Sequence, residues 1–358
     1  MPPVEILVER DALQKIPDLT RRLALDKNCL VVHDMNTREI AGRAIIDLLR
    51  KEGHFVSEMV VDKPDEANVE RVLAKVEGES FLVGVGGSSV LDVTKLAAHR
   101  RRARYILFST GIANNGMSSK TASIYVSGKK ESIPVNLADA VMVDLTIISK
   151  APAWMIAAGC GDLAGDATAV KDWQLGRDEM SEPYCDSIAA LMMSALDDFL
   201  KNVDSAKSRS EGAIRSLANA QIRSGLATAI WGSSRPASGS EHLWSHWLDD
   251  YAEQNNTKFG QHGEQVGIGS LLMAKYHELH NPNWWDKARC PQYQAETLMS
   301  SLKKVGAPTT PSEIGVDAEK AKHAFVGAWQ HRKERYTILH KRHPAIEDAE
   351  GIMRELNM

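Results

Sequence analysis

Two segments place imidazoles where chemistry could follow: Gly239-Ser240-Glu241-His242-Leu243-Trp244-Ser245-His246 and Gln261-His262-Gly263-Glu264-Gln265. Each lies beside Gly and small polar residues rather than inside a long apolar stripe. Imidazole is the commonest protein ligand for a catalytic divalent metal, and such a site draws further ligands from separate elements. His242 and His246 are one helical turn apart. Zinc helices of the HExxH type share that spacing, but here Leu-Trp-Ser follows the first of them without a Glu in second place. That argues against a metalloprotease. A satisfied core or surface histidine is the plain alternative for each, and a strong one for His246. His277, His280, His331, His340 and His343 read as surface residues. Carboxylates come from Ala157-Ala158-Gly159-Cys160-Gly161-Asp162-Leu163-Ala164-Gly165-Asp166, where a helix would set Asp162 and Asp166 on one face. Two like charges there cost stability, and a nearby cation would account for them. Taken alone, the segment has a plainer reading, in which Asp162 caps the helix and Asp166 faces solvent.

A second chemistry is offered by Gly84-Val85-Gly86-Gly87-Ser88-Ser89, which follows an apolar run and opens a helix near Val90. Close-set glycines let a phosphate approach the backbone, and a helix start supplies free N–H groups and a favourable dipole. It is not the GxGxxG dinucleotide pattern, because position 89 is Ser. A tight strand-to-helix turn explains the glycines equally well. Asp92 and Lys95 read as an i, i+3 surface pair.

The elements that must position these groups change character along the chain. Apolar runs at 28–33, 55–61, 81–85 and 105–108 read as strands. Helical patterns lie between them at 37–51, 65–75 and 90–101, with Asp65 as a helix start. Such alternation predicts a mostly parallel sheet with crossover helices. The stretch 121–143 reads as a hairpin completing that sheet. After Lys150-Ala151-Pro152 the composition turns to Ala, Leu, Met and Trp with helical spacing, and all eight tryptophans fall at or after Trp154. This predicts an α/β domain over 1–150 and an all-helical domain over 151–358. Residues 205–210 read as a solvated loop.

A length of 358 residues suits two domains, and the net charge of −4 gives no reason to expect nucleic acid as a partner. No apolar run approaches a membrane span, and Met1-Pro2-Pro3-Val4-Glu5 shows no secretory signal. Cys29, Cys160, Cys185 and Cys290 form no CxxC pair and read as buried, reduced thiols of a cytoplasmic protein. The Trp and Met content of the helical part is compatible with a homo-oligomer.

Taken together, these segments resemble the polyol dehydrogenase and dehydroquinate synthase-like superfamily, and within it the sn-glycerol-1-phosphate dehydrogenase family. The resemblance spans most of the chain. It rests on the glycine turn continuing through Val90-Leu91-Asp92-Val93-Thr94-Lys95, and on Ala157-Ala158-Gly159-Cys160-Gly161-Asp162. It also rests on Thr168-Ala169-Val170-Lys171-Asp172-Trp173, Pro236-Ala237-Ser238-Gly239-Ser240-Glu241-His242, His262-Gly263-Glu264-Gln265-Val266-Gly267 and Arg335-Tyr336-Thr337-Ile338-Leu339. It implies a Rossmann-like nucleotide-binding domain followed by the all-α domain of glycerol dehydrogenase-like folds. It implies one divalent metal on Asp162, His242 and His262, with zinc the best match and nickel or iron also accommodated. Asp162 and His246 would be the catalytic residues, His246 as proton relay or substrate contact. NAD or NADP would lie on Gly86, Gly87, Ser88, Asp92, Ser109, Thr110 and Ser119, with Asp34 as a ribose contact. Asn115, Lys120, Asp166 and His246 would meet the substrate, a small polyol, polyol phosphate or matching ketone.

Three departures stand out. Ser88 replaces a third consecutive Gly. Asn114-Asn115 replaces the His-Asp of the family's PTAASHDGIASPRAS stretch, where the Asp contacts substrate hydroxyls. Asp166 stands where relatives often have an uncharged residue. The expectation is therefore metal-dependent NAD(P)H oxidoreduction of a secondary alcohol and its ketone, with a substrate altered from glycerol 1-phosphate. The alternative is a carbocycle-forming synthase that uses NAD transiently, although such proteins carry Glu as first metal ligand.

Overall fold

The structure, a computed structural model, describes residues 4–206 and 208–358. Met1, Pro2 and Pro3, at which the signal-free start was read, lie outside the described residues, as does Lys207 in the expected loop. Contacts divide the chain into two compact units, Met1–Pro152 and Ala153–Met358.

The first unit is built on a six-stranded sheet. Its strands are β1 (Glu5–Glu9), β2 (Asn28–His33), β3 (Phe55–Val60), β4 (Ser80–Gly86), β5 (Tyr105–Ser109) and, after a hairpin of β6 (Thr121–Val126) and β7 (Lys129–Pro134), β8 (Ala140–Asp144). The sheet order is β1-β8-β5-β4-β2-β3, and every neighbouring pair runs parallel. Strands β4, β5 and β8 are buried along their whole length, which is why β4 and β5 read as continuous apolar runs rather than alternating ones. The expectation for 121–143 needs correction. The β6–β7 hairpin is antiparallel and forms a sheet of its own, and the strand that completes the large sheet is β8, between β1 and β5.

The chain leaves β2 toward β3 on one side and returns across β2 to β4, after which the order grows the other way. The carboxyl ends of β2 and β4 are therefore a switch point, the usual ligand position in open α/β sheets. His33 pairs with Val85 there, which brings Asp34 and the Gly86-Gly87 turn to one edge. Asp34 caps the following helical stretch with one oxygen, accepting from the Asn36 and Thr37 N–H groups at 2.8 and 2.7 Å. That stretch runs to Lys51 through a π-helical turn at Arg38–Gly42.

The second unit is helical. Its long elements include Ala153–Ala164, Asp166–Met180, Glu211–Trp231, Ser240–Gln254 and His262–His280. No helix among the described residues is long and apolar enough to cross a membrane. Ser205 belongs to a short helix, Val203–Ala206, rather than to a loop, while residues 208–210 are exposed as expected. Trp173 and Trp244 are fully buried, whereas Trp154, Met180 and Ile230 are exposed. Cys29 and Cys160 are buried thiols, but Cys185 and Cys290 are only partly covered.

Candidate metal and nucleotide sites

The metal candidate begins with a helix crossing. Helix Ala153–Ala164 packs along His262–His280 at backbone contact. A Cβ on Gly161 would come within 2.2 Å of the Gly263 carbonyl oxygen, and one on Gly267 within 2.9 Å of the Gly161 Cα. Only glycines allow this approach, and it brings Asp162 up to His262. Asp162 lies inside its helix and is 6% exposed, so it is not the helix cap considered from sequence. The Asp162 Oδ1 is 3.8 Å from His262 Nε2 and 4.0 Å from His242 Nε2. The two imidazoles are 5.2 Å apart, and the three donor atoms lie within 4.8 Å of one another. Two ligand bonds of about 2.1 Å can span at most ~4.2 Å, so both Asp–His separations are short enough for one shared ion. One hard oxygen and two imidazole nitrogens are also the donor chemistry of a catalytic zinc-type site.

Neighbouring groups fix the rings. Glu241, fully buried, accepts from His242 Nδ1 at 2.8 Å, from the Gly239 N–H at 2.6 Å and from the Thr168 hydroxyl at 2.6 Å. A carboxylate on Nδ1 sets the tautomer and leaves Nε2 with its lone pair toward Asp162. His262 Nδ1 lies 3.3 Å from the Ser245 hydroxyl, which donates to Gln265 Oε1 at 2.6 Å. Sequence reasoning missed Glu241, Thr168, Ser245 and Gln265 as ring holders. Glu241 had one signal, as the residue beside a ligand histidine. His246 is half-buried one turn on, its ring 6.3 Å from that of His242.

Asp166 does not face solvent. It is 2% exposed, its Oδ1 accepts from the Ser224 hydroxyl at 3.4 Å, and its Oδ2 is buried without a partner. Burial first, and then the charge of Asp162, push its carboxyl well above the usual range. His277 is likewise no surface residue. It is fully buried, stacks on Trp284 at 4.8 Å and meets Asp172 at 3.1 Å through Nε2. Asp172 also accepts from the N–H groups of Ser240 and Ile338, both at 2.7 Å. Burial opposes its charge, but His277 and Ser240 more than offset this and hold it below the ordinary carboxylate range. Asp172 thereby anchors the start of the helix that carries His242. His280, His331 and His340 are partly buried, and His343 is exposed with its ring stacked on Trp329.

In the α/β unit the backbone takes the leading part. Gly86 is required, because a Cβ there would lie 2.6 Å from that of Val90. A Cβ on Gly87 would enter open space. Helix Ser88–Arg101 starts at Gly87 with no side chain capping it. Open space before uncapped N–H groups is the cradle a pyrophosphate needs. The side chains expected at a cofactor are mostly engaged within the unit. Lys95 is fully buried and donates to Asp92 at 3.0 Å, to the Gly116 carbonyl at 2.8 Å, to Ser119 at 3.3 Å and to the Thr121 carbonyl. The expected surface pair is thus a buried pin that holds the 115–121 segment, on which Asn115 and Lys120 lie. Ser109 donates to the Gly111 carbonyl at 2.5 Å, and the Thr110 N–H to the Gly86 carbonyl at 3.1 Å. Two of the departures meet: Asn114 Nδ2 donates to the Ser88 hydroxyl at 2.8 Å, while its Oδ1 accepts from the Gly116 N–H at 3.0 Å. Asn114 therefore clasps the phosphate turn.

Residues 7–152 match the model of the iron-containing alcohol dehydrogenase family. The glycerol-1-phosphate dehydrogenase [NAD(P)+] of Thermococcus sibiricus is 38% identical over 350 residues, 97% of this chain and 95% of that protein. Its counterpart from Methanosarcina acetivorans is 35% identical over 339 residues, 94% of this chain and 90% of that protein. Among solved structures, glycerol dehydrogenase from Schizosaccharomyces pombe aligns with a TM-score of 0.75 at 18% identity, covering 99% of this chain and 89% of that one. Maleylacetate reductase from Agrobacterium tumefaciens aligns with a TM-score of 0.77 at 15% identity, covering 99% and 96%. At those identities the structural likeness is one of fold. The sequence likeness over nearly the whole length decides the family: this chain belongs to the glycerol-1-phosphate dehydrogenases, within the iron-containing alcohol dehydrogenases.

Proposed function

We propose that this chain interconverts a phosphorylated three-carbon polyol and its ketone, with NAD(P) as hydride carrier and zinc held by Asp162, His242 and His262. The observation that carries the reading is the convergence of those three donors on a chain 38% identical to a glycerol-1-phosphate dehydrogenase. Bound there, zinc supplies Lewis-acid polarisation of the substrate oxygen, and NAD(P) supplies or takes the hydride.

The chain's own residues do the rest. Glu241 holds the His242 ring with Nε2 free, and Ser245 does the same for His262. His246 exchanges the hydroxyl proton through its imidazole, a step worth roughly 10²–10⁴ in rate. Gly86, Gly87 and the N–H groups at Ser88 receive the pyrophosphate. One Asp34 oxygen caps its helix, and the other serves a ribose hydroxyl, which favours NAD. With Asn114 committed to Ser88, Asn115 and Asp166 are the departures left for the substrate. The free thiols suit a reducing cytoplasm.

The test is steady-state turnover with glycerol 1-phosphate, dihydroxyacetone phosphate and unphosphorylated polyols, alongside metal analysis. Stoichiometric NADH loss with one phosphorylated ketone is expected, and a synthase would return its cofactor unchanged. His262→Ala should lose both metal and turnover while keeping its helical circular dichroism. A folded His262→Ala that binds metal like wild type would defeat the ligand assignment.

A further inference from the structure

One motif is left unused by the metal and hydride chemistry, the segment around Arg335. Arg235 and Arg335 are both buried, at 4% and 8% exposure, but they are matched differently. Arg235 is paired, donating to Glu182 at 2.7 and 3.0 Å. Arg335 donates to the Ser238 carbonyl at 2.8 Å and to the Ser234 hydroxyl at 3.1 Å. Both partners are neutral, and no carboxylate among the described residues forms an ion pair with it.

Burial first, and then the neighbouring charges of Arg332 and Arg235, bring the Arg335 guanidinium down to about 9. It stays protonated at neutral pH, so a cation sits in the helical unit with no carboxylate in direct contact, Glu334 and Glu241 acting on it only through space. Holding Ser238 and Ser234 would not require that, because a neutral donor could do so without the desolvation cost of a buried charge. The backbone that follows it is held in place as well. Arg235 donates to the Tyr336 carbonyl at 2.6 Å, and the Ile338 N–H donates to Asp172. Ser238 lies four residues before His242, and Glu241, which orients His242, feels the Arg335 charge. A guanidinium without an ion-pair partner, bonded to the residue four before His242, has the chemistry of a phosphate clamp.

We propose that Arg335 is the subsite for the phosphate monoester of the substrate, placing the anion while the reacting oxygen goes to the Asp162–His242–His262 centre. This rests on the polyol-phosphate reading above. The test compares the metal-loaded full chain with Arg335→Met and Arg335→Lys. Kinetics use dihydroxyacetone phosphate and dihydroxyacetone, and calorimetry uses inorganic phosphate. A charge-assisted contact of this kind predicts a KM for the phosphorylated ketone raised on the order of 10–100-fold in Arg335→Met. The loss should be much smaller with the unphosphorylated ketone, phosphate binding should be lost, and Arg335→Lys should be intermediate. Unchanged phosphate binding in folded, metal-loaded variants, or equal losses with both ketones, overturns the subsite. Wild type that reduces neither ketone sinks the parent reading instead, and the calorimetry still judges the subsite. If Arg335→Met does not fold, Arg335→Lys carries the comparison.

Discussion

The metal centre and the phosphate turn reach order in opposite ways. At the proposed metal centre, side chains would do the binding and other side chains aim them: Glu241 on His242, Ser245 on His262. At the proposed phosphate turn, the backbone would do the binding, and the nearby side chains are spent on internal contacts, as with Lys95 and Asn114. The difference teaches how substitutions should separate. Changes around the first region should act on metal and leave nucleotide affinity alone, and changes around the second should do the reverse.

Glu241→Gln tests that division with the largest expected effect. Without the carboxylate on His242 Nδ1, metal affinity should fall on the order of 10–100-fold, read by competition with a chelating dye. Nucleotide affinity, read by fluorescence, should not move. A matched fall in nucleotide affinity would break the division. Asn114→Ala comes next. Loss of the clasp on Ser88 costs about 1 kcal/mol, which is a KM for NAD(P) raised roughly fivefold, with metal content intact. A constant cofactor KM with a raised substrate KM would move Asn114 to the substrate wall.

The smallest effect concerns Glu58, which meets His33 Nε2 at 3.0 Å at the end of β2 and binds Arg38 at 2.8 Å. The Arg38 hydrogen bond leads in holding its carboxyl down at about 2, against an ordinary 4.5. A lowered folded-state value adds stability that is present above the unfolded value and is lost as pH falls through the folded one. Urea midpoints should therefore drop between pH 4.5 and 2 in wild type, and less steeply in Glu58→Gln. Partial exposure keeps the difference small. An identical slope in both proteins would remove Glu58 from the account.

What was legible in the sequence follows the same division. Strands β4 and β5 read cleanly because burial on both faces of a parallel sheet makes them unbroken apolar runs, while β3, at the sheet edge, is only partly covered. β1 was missed because a glutamate sits at each end of a five-residue edge strand. β8 was absorbed into the hairpin stretch, since nothing local says that a strand pairs with β5 and β1 rather than with its neighbour. Asp162, His242 and His262 were named together through the family resemblance, and the structure brings their donor atoms within 4.8 Å of one another. Their supports were not found, because Thr168 lies 73 residues from Glu241 in sequence, and such partners have no local signature. His277 was misread for that reason too: its burial depends on Asp172, 105 residues away. Ser88 and Asn114, two separate oddities on the page, proved to be one contact.

The glycine crossing of helices Ala153–Ala164 and His262–His280 has a consequence for ion exchange. Where backbone atoms touch, the spacing between Asp162 and His262 is set by van der Waals radii and not by any ion. If the three residues bind metal, the ligands would stand ready before loading, and the folded chain would not wait for metal as a zinc finger does. A caliper of that kind cannot widen or tighten much to suit one ion's preferred geometry. Occupancy then follows intrinsic affinity and supply among zinc, nickel and iron. Removing the ion should leave an empty, refillable site rather than an unfolded chain.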